Sequence, residues 1–244
     1  MKVGLVITYC GTGFCGWQTQ PNKRSVQEEL ETALFNVLKE KVVLYASGRT
    51  DAGVHALGQV AHFETKKEIK PYILISAINH YLPQDVKVTK VFLPNDDFDA
   101  RFSAKKKTYV YKFYSCRFEL PLKIDRELRV NDNIDVGLME KSLPALIGKH
   151  NFKCFVARKS GKTNFERIIY SAKINRLSDF EFEFEITGNG FLYNMVRIIM
   201  GTLIDIGMKR KPYNCIENII KSEDRASAGK TMPSYALYLK SVEY

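Results

Sequence analysis

The sequence predicts an α+β protein made of two similar halves, residues 1–104 and 105–244, with largely antiparallel sheets. Stretches in which every second residue is apolar predict strands, and stretches with apolar residues three and four apart predict helices. Both kinds of stretch recur in a similar order in each half of the 244-residue chain. Because no low-complexity linker separates the halves, we expect them to pack tightly, with an active-site cleft between them.

The first half begins with a strand in which Val3, Leu5 and Ile7 alternate with smaller or polar residues. Ser25, followed three residues later by Glu28, forms a capping box that predicts the start of a helix. Together these patterns give the order β-α-β-β-α-β, which is the ferredoxin-like arrangement. The predicted strands are 2–9, 42–47, 58–65 and 86–92, and the predicted helices begin after Ser25 and span 71–81.

The second half repeats this order more loosely. Between residues 179 and 187 phenylalanine alternates with glutamate, which predicts a sheet with one buried and one solvated face. The two halves together therefore predict tandem ferredoxin-like units. In this half the predicted strands are 106–116, 165–175, 179–187 and 236–242, and the predicted helices lie near 135–147, 191–206 and 213–221.

The balance of charged residues indicates which class of ligand the protein could bind. The chain carries 37 Lys and Arg against 27 Asp and Glu, so its net charge is 37 − 27 = +10. A positive surface attracts phosphates, and release of counterions makes nucleic acid a favourable large ligand. The charge alone does not distinguish a nucleic-acid-binding protein from other basic proteins.

The cysteines and the N-terminus bear on the compartment. The five cysteines are odd in number and include no C-x-x-C pair, which argues against a zinc knuckle and a disulfide framework. The N-terminus lacks the shape of a signal peptide. The most apolar run, Phe191 to Ile204, contains Asn194 and Arg197 and is too short to span a bilayer. We therefore expect a cytoplasmic protein without a membrane segment.

Asp51 is the first candidate for chemistry. It lies in a predicted loop over residues 48–57, where an aspartate can simply serve a turn or cap a helix. Arg49 and the flanking Gly48 and Gly53 favour a functional role, because glycines allow close approach of a ligand. His55, four residues after Asp51, is expected to be structural, and no H-E-x-x-H, P-C-x-x-C or P-loop motif supports a metal or nucleotide site.

Arg197 is the second candidate. No other charged residue lies between Glu185 and Asp205, and the predicted helix around Arg197 is apolar on most sides. A partly buried guanidinium needs a carboxylate, since removing one partner of a buried ion pair costs about 3–5 kcal/mol. The partner could be Asp205, a strand glutamate, or Asp51 from the other half, and periodicity does not choose among them.

A basic and aromatic segment opens the second half. Lysine and arginine side chains can contact phosphates, and the face of Tyr109 can stack on a base, which contributes about 1–3 kcal/mol. The same sequence pattern would result if this segment were only the solvent-exposed start of a strand whose tyrosines lie in the core. The cations are Arg101, Lys105, Lys106 and Lys107, and further candidates for phosphate contacts are Lys23, Arg24, Arg158, Lys159 and Lys162.

These residues belong to motifs that resemble those of the TruA-type tRNA pseudouridine synthases. Residues 48–63, G-R-T-D-A-G-V-H-A-L-G-Q-V-A-H-F, are similar to the active-site motif of that family. Shorter motifs agree in the expected order, so the resemblance covers essentially the whole chain. They are Gly16-Trp17-Gln18, Gln20-Pro21, Ile78-Asn79, Leu82-Pro83, Ala100 to Ala104 with Tyr109 and Tyr111, Gly190-Phe191-Leu192, Met195-Val196-Arg197, Ala228-Gly229, Thr231, Pro233, and Leu237 to Tyr244.

The chain departs from the family pattern at a few positions. Cys10 stands where the family usually has an aspartate after the first strand, and Asn151 replaces an aspartate in the segment His150-Asn151-Phe152. The C-terminal motif also differs from the family pattern, at Met232 and in the segment Ser234-Tyr235-Ala236. None of these changes touches Asp51, Arg49, Tyr109 or Arg197.

The resemblance implies an activity and residue roles. The family isomerises uridines at positions 38 to 40 of the tRNA anticodon arm, without metal or cofactor, and its members are homodimers. It implies that Asp51 is the essential carboxylate and that Arg197 pairs with it. Arg49 would assist flipping of the uridine, Tyr109 would stack on the uracil, and Leu237 would pack against the ring.

Other functions remain open from the residues alone. A ferredoxin-like sheet with exposed aromatics could be a non-catalytic RNA-binding module. Asp51, His55 and His62 could support a metal-dependent nuclease. A pseudouridine synthase of this kind could also act on RNA other than the tRNA anticodon arm.

Overall fold

The computed structural model describes residues 1–157 and 164–244 as two compact units. The first comprises Met1–Lys105 together with Tyr238–Tyr244, and the second comprises Lys106–Leu237. The last seven residues, which we expected in the second half, therefore group with the first unit. The reason is strand pairing, because Tyr238 and Leu239 align in parallel with His55 and Ala56.

Strands and helices alternate along the described residues. Among those residues, no helix is both long and apolar enough to cross a membrane. The strands are β1 Lys2–Tyr9, β2 Tyr45–Ala46, β3 His55–Glu64, β4 Val86–Phe92, β5 Lys106–Ser115, β6 Leu128–Val130, β7 Gly148–Asn151, β8 Glu166–Arg176, β9 Glu181–Gly188 and β10 Leu237–Glu243. The helices are α1 Val26–Leu38, α2 Pro71–Tyr81, α3 Val136–Ser142, α4 Met195–Gly207 and α5 Cys215–Ser222.

The first unit has the predicted order β-α-β-β-α-β. Its strands lie in the order β4-β1-β3-β10, with β2 paired to β3, and only the β3–β10 pair is parallel among them. Helix α1 starts as predicted, since the hydroxyl of Ser25 accepts a hydrogen bond from the Glu28 amide. Leu30 and Leu34 on α1, like Leu5 and Ile7 on β1, are fully buried in the core of this unit.

The second unit is also built on a mostly antiparallel sheet. Its strands lie in the order β5-β9-β8-β7 in antiparallel pairs, and β6 pairs with β5 in parallel. Phe182 and Phe184 are buried, whereas Glu181 and Glu183 on the same strand remain partly exposed. The prediction of a mixed protein with largely antiparallel sheets is thus confirmed.

Several predicted boundaries were wrong. The strand expected over 42–47 is limited to Tyr45–Ala46, because the backbone of Leu44 bonds to the side chains of Gln27 and Glu31. The helix expected from residue 191 begins at Met195, since Asn194 has φ 60°, which a right-handed helix does not accommodate. The short strands β6 and β7 were not predicted.

Candidate active site

Asp51 lies in the loop between β2 and β3, and this loop is tied to the segment that follows β1. The Trp17 amide donates to the Thr50 carbonyl (3.1 Å), and the Gly53 amide donates to the Phe14 carbonyl (3.3 Å). Gly16 has φ +96°, and a Cβ there would lie 2.6 Å from the Thr50 carbonyl oxygen. The close approach of the two segments therefore requires glycine at this position.

Thr50 is the inward anchor of the loop. Its side chain is buried, and its hydroxyl is hydrogen-bonded to that of Tyr9 on β1 at 2.7 Å. Burial raises the pKa of Tyr9 to about 12. The phenol therefore stays protonated at neutral pH and can hold Thr50 through an uncharged hydrogen bond.

Gln59 on β3 fixes the start of the same loop. Its side chain is fully buried, and its Oε1 accepts hydrogen bonds from the Ser47 hydroxyl (2.7 Å) and the Val60 amide (3.1 Å). Its Nε2 donates to the Gly48 carbonyl at 2.8 Å. One buried amide thus joins the strand to the two residues at which the loop begins.

The anchoring leaves the predicted functional side chains accessible. Arg49 is exposed and Asp51 is partly exposed, whereas Thr50 between them is buried. The loop therefore presents a guanidinium and a carboxylate from a backbone fixed at the residue between them. This is the arrangement expected of a preorganised catalytic group, because a held backbone limits the positions that its side chains can take.

Two buried histidines on β3 have structural contacts. His55 accepts a hydrogen bond at Nδ1 from the Gly11 amide (3.1 Å), and its ring stacks on Tyr238 with centroids 4.5 Å apart. His62 accepts at Nδ1 from the Ala100 amide (3.1 Å), and burial lowers its pKa. These contacts agree with the structural role expected for His55. Within residues 1–157 and 164–244, no three His, Cys, Asp or Glu side chains are grouped as metal ligands.

Arg197 lies in the first turn of α4 in the second unit and is partly buried. Its Nη1 donates to the Asn194 side-chain oxygen (2.7 Å), and its Nε donates to the Met232 carbonyl (2.6 Å). The Met232 amide in turn donates to the Arg197 carbonyl (3.2 Å). The guanidinium is thus oriented by its own helix and by the segment before β10.

The other acids considered for Arg197 have cationic neighbours of their own. Asp205 lies 3.6 Å from Arg210. The strand glutamates pair with lysines, namely Glu183 with Lys112 (3.2 Å), Glu185 with Lys173 (3.2 Å) and Glu181 with Lys123. The pairing of Arg197 with Asp51 stays a prediction.

The segment before β10 is packed directly on the backbone of α4. A Cβ at Gly201 would lie 1.9 Å from the Lys230 carbonyl oxygen, so only a glycine allows this approach. The Thr202 hydroxyl accepts a hydrogen bond from the Gly229 amide (2.8 Å) and donates to the Ile198 carbonyl (3.1 Å). The helix and this segment therefore form one rigid support for Arg197.

Tyr109 on β5 packs against an aromatic neighbour in the same unit. Its ring meets Phe191 edge to face, with centroids 5.1 Å apart and an interplanar angle of 82°, and its side chain remains partly exposed. Tyr111, which is fully buried, donates its hydroxyl proton to the Pro233 carbonyl (2.8 Å). Leu237, expected to pack against the uracil, is 6% exposed.

The cations that were predicted to contact phosphates differ in their exposure and in their bonds to acidic side chains. Lys23, Arg101, Lys105 and Lys106 are exposed and Lys107 is partly exposed. Arg24 instead makes two hydrogen bonds to Asp85 (2.7 and 2.9 Å) and one to Glu29 (2.6 Å), and it holds the pKa of Asp85 below its usual range. Arg158, Lys159 and Lys162 lie outside the described residues.

Two of the departures from the family motifs, Cys10 and Asn151, have local contacts. The Cys10 thiol donates to the Thr12 hydroxyl at 3.6 Å. The Asn151 amide donates to the Glu223 carboxylate (2.8 Å), and its oxygen accepts from the Lys153 amide (3.1 Å). An ionised aspartate at 151 could not donate to Glu223, so this contact depends on the asparagine.

Sequence reasoning did not identify Tyr9, Asn194 and Met232 as supports of the site. Tyr9 directly precedes Cys10, and Met232 is one of the departures from the C-terminal motif, but a motif gives no partner. Tyr9 is 41 residues from Thr50, and Met232 is 35 residues from Arg197. No local pattern signals a hydrogen bond over such separations.

Comparison with known proteins gives consistent matches over the chain. Residues 5–103 and 143–244 match the family model described as tRNA pseudouridine synthase. A protein named tRNA pseudouridine synthase A from Caldicellulosiruptor saccharolyticus is 41% identical over 247 residues, with 98% of each chain covered. Proteins of the same name from Thermoanaerobacter sp. (41% over 243 residues; 100% and 99% covered) and Ehrlichia canis (39% over 246 residues; 100% of both covered) are similar.

Proposed function

The chain belongs to the tRNA pseudouridine synthase family and is an isomerase acting on tRNA, and we propose that its substrate is the anticodon stem-loop. There it converts uridine to pseudouridine at positions 38 to 40. Asp51 is the essential carboxylate in this proposal. The observation that supports it best is the anchored loop, in which buried Thr50 fixes the backbone beside a partly exposed Asp51.

The reaction is an isomerisation and needs no external reactant. The bond from uracil N1 to ribose C1′ breaks, the base rotates, and a bond forms from C5 to C1′. The proton leaves C5 and a proton is gained at N1, so the atoms balance. A carboxylate beside the ribose can start this sequence by attacking C1′ or by removing the C2′ proton, and one at the base can attack C6. A primary isotope effect from deuterium at C2′ would identify proton removal there.

The target uridine must leave the helical stack before it can react, at a cost of a few kcal/mol. We assign this step to Arg49, whose exposed guanidinium lies two residues from Asp51 and can occupy the vacated position. Tyr109 stacks on the extruded uracil, with its ring held by Phe191. Leu237 packs against the same base.

Arg197 completes the proposed site. We propose that the two units are tandem ferredoxin-like modules that share one active site, with Asp51 from the first and Arg197 from the second. A guanidinium near the carboxylate favours its ionised form, which is the form that acts as nucleophile or base. Support comes from the two hydrogen bonds that orient Arg197, to Asn194 and Met232.

Exposed and partly exposed cations around the start of the second half position the RNA through its phosphates without reading its sequence. In this proposal they are Arg101, Lys105, Lys106 and Lys107. The enzyme acts in the cytoplasm as a homodimer that binds the anticodon arm of tRNA. Sedimentation of the enzyme alone and with tRNA measures the oligomeric state, and a monomer in both would contradict the dimer.

The test of the proposed function is the variant Asp51→Ala. Release of tritium from C5-labelled uridine in tRNA should fall below detection, while tRNA binding stays within about twofold, because binding rests on the phosphate contacts. The matched control is Asp97→Ala, which removes an exposed aspartate of the same unit. Substantial tritium release by Asp51→Ala would sink the assignment of Asp51.

The variant Arg197→Met tests the shared site. Most of the rate should be lost, on the order of 100-fold or more, because the site loses the oriented cation that holds the carboxylate and stabilises charge in the transition state. Unfolding by urea shows whether the variant is folded. An unchanged rate in a folded variant would mean that Arg197 pairs elsewhere.

The position of the modified uridine is tested with anticodon-arm variants. Substrates with a single uridine at position 38, 39 or 40 should each release tritium, whereas a uridine placed in the acceptor stem should not. Equal reaction at both locations would contradict the anticodon-arm specificity and leave the isomerase chemistry intact.

A further inference from the structure

Arg167 on β8 is partly buried and has no acidic partner among the described residues. Its Nη1 donates to the backbone carbonyls of Glu166 and Asn164, which lie in its own segment. Residues 158–163, outside the described part, contain neither Asp nor Glu. Burial lowers the pKa of this guanidinium, and no carboxylate of residues 1–157 or 164–244 offsets that effect.

This situation differs from that of other cations beside acids in the protein. Arg24 is bound by Asp85 and Glu29, and Lys123 is bound by Glu127 and Glu181. A desolvated cation without a counterion is unfavourable, so such a residue usually has an anionic partner. In a protein with net charge +10 that acts on tRNA, the phosphates of the substrate can supply that anion.

Arg167 also lies near the aromatic pair that contains Tyr109. A Cβ at Gly190 would lie 3.9 Å from the Arg167 Nε, so the arginine side chain lies along this glycine. The next residue, Phe191, makes the edge-to-face contact with the Tyr109 ring. The turn is fixed to β8, because the Asn189 side chain and amide both bond to the backbone of Ile168.

We propose that Arg167 is a positioning residue that binds a backbone phosphate of the tRNA next to the extruded uridine. The planar guanidinium presents several donors in one plane, which suits two oxygens of one phosphate. Because the turn connects Arg167 to Phe191, a phosphate held there sets the register of the RNA relative to Tyr109. The inference rests on the proposed function and adds a subsite to it.

The experiment measures tRNA binding to Arg167→Gln at several salt concentrations. Affinity should fall about tenfold at low salt. The slope of log affinity against log salt should become shallower by about 0.7–0.9, the contribution of one phosphate contact. The control is Arg176→Gln, which removes an exposed arginine at the other end of the same strand and should leave affinity and slope unchanged.

A purely structural role would change stability without changing the salt slope. An unchanged slope in a folded Arg167→Gln variant would therefore overturn the inference. If wild-type enzyme fails to bind or isomerise tRNA, the proposed function itself fails; if only the Arg167 slope is unchanged, the function stands without this contact.

A second measurement uses the wild-type protein and so does not depend on the folding of a variant. Phenylglyoxal modifies accessible arginines, and mass spectrometry gives the extent at each. An anticodon stem-loop RNA should slow modification of Arg167 at least fivefold and leave Arg176 unchanged. Equal modification of Arg167 with and without RNA would overturn the proposal.

Discussion

The loop that carries Asp51 and the helix that carries Arg197 are supported by different means. The loop has no regular structure and is held by buried side chains, with Tyr9 bonded to Thr50 and Gln59 bonded to Gly48. The helix is held by close backbone packing, where Gly201 meets the Lys230 carbonyl. Each support is local to one of the two compact units.

This difference predicts how each region fails. A side-chain hydrogen bond contributes about 1 kcal/mol and can be lost without rearranging the fold. A close backbone contact leaves no room for an added atom, so one methyl group must displace a helix or the segment against it. Changes to the backbone packing of the helix should therefore act mainly on stability, and changes to the side chains that hold the loop should act on stability and on the rate together.

The largest expected effect on stability is that of Gly201→Ala. The added Cβ would lie 1.9 Å from the Lys230 carbonyl oxygen, a backbone atom that cannot rotate away. We expect a loss of about 3 kcal/mol or more in the free energy of unfolding by urea. Intrinsic helix propensity favours alanine by about 1 kcal/mol and does not offset this clash.

The control is Gly137→Ala in α3, where the heavy atom nearest to an added Cβ is a side-chain oxygen of Asp135 at 3.3 Å. This change should be neutral or stabilise the protein by up to about 1 kcal/mol. Equal stability of the two variants would show that the segment before β10 does not constrain α4.

The next effect in size is that of Gln59→Leu in the loop support. It leaves the Gly48 carbonyl without its donor and removes the acceptor of Ser47 and Val60. We expect the free energy of unfolding to fall by about 2–3 kcal/mol, since several buried polar groups lose a partner. The value of kcat should fall as well, because Gly48 begins the loop that carries Asp51.

Gln84→Leu provides the matched control, since Gln84 is exposed. Its stability should lie within about 0.5 kcal/mol of wild type, and its kcat should be unchanged. A Gln59→Leu variant with a normal kcat would mean that the start of the loop does not set the position of Asp51.

The two supports also explain what the sequence could predict. Helix α2 was predicted at its observed bounds, 71–81, because its apolar spacing is a local signal. Pro71 at its first position agrees with these bounds. Asp51 and Arg197 were singled out from motifs and local composition. The hydrogen bonds that support them join Tyr9 to Thr50 and Arg197 to Met232. Hydrogen bonds between residues so far apart in the chain cannot be predicted from the periodicity of the sequence.

The wrong boundaries have the same physical origin. The backbone of Leu44 is hydrogen-bonded to side chains of α1, so it does not join the strand that was expected there. The positive φ of Asn194 delays the start of α4, although the sequence around it is apolar throughout. In both places a specific contact or conformation overrides a local propensity.

A smaller effect on stability is expected from changing either of two buried tyrosines, Tyr9 on β1 and Tyr111 on β5. Each lies on the first strand of its unit. Tyr9→Phe removes the partner of the Thr50 hydroxyl, and Tyr111→Phe removes the donor to the Pro233 carbonyl. Each should lower the free energy of unfolding by about 1–2 kcal/mol. Only Tyr9→Phe should also lower kcat, by about tenfold, because Thr50 adjoins Asp51.

Arg197 keeps its bond to Asn194 when Tyr111 is changed, so its orientation should survive. Unfolding by urea and single-turnover rates measure the two effects. If Tyr111→Phe lowered kcat as much as Tyr9→Phe does, the distinction between the two supports would not hold.

The smallest effect is a pH dependence that isolates the Tyr9 anchor. Burial raises the pKa of Tyr9 to about 12, from an ordinary value near 10. The folded state thus holds the phenol proton more tightly than the unfolded state. The resulting stability is fully present below pH 10 and is lost as the pH rises toward 12. Between pH 9 and pH 11 the difference in unfolding free energy between wild type and Tyr9→Phe should fall by about 1.3 kcal/mol.

Urea unfolding of both proteins at the two pH values measures this change. The titration of Tyr111, whose pKa burial also raises, is common to both proteins and cancels. Tyr72→Phe removes an exposed hydroxyl and corrects for the general effect of alkaline pH. A difference that stays constant from pH 9 to pH 11 would show that Tyr9 is not desolvated in the folded protein, and the loop would then lack the buried anchor that sets it apart from α4.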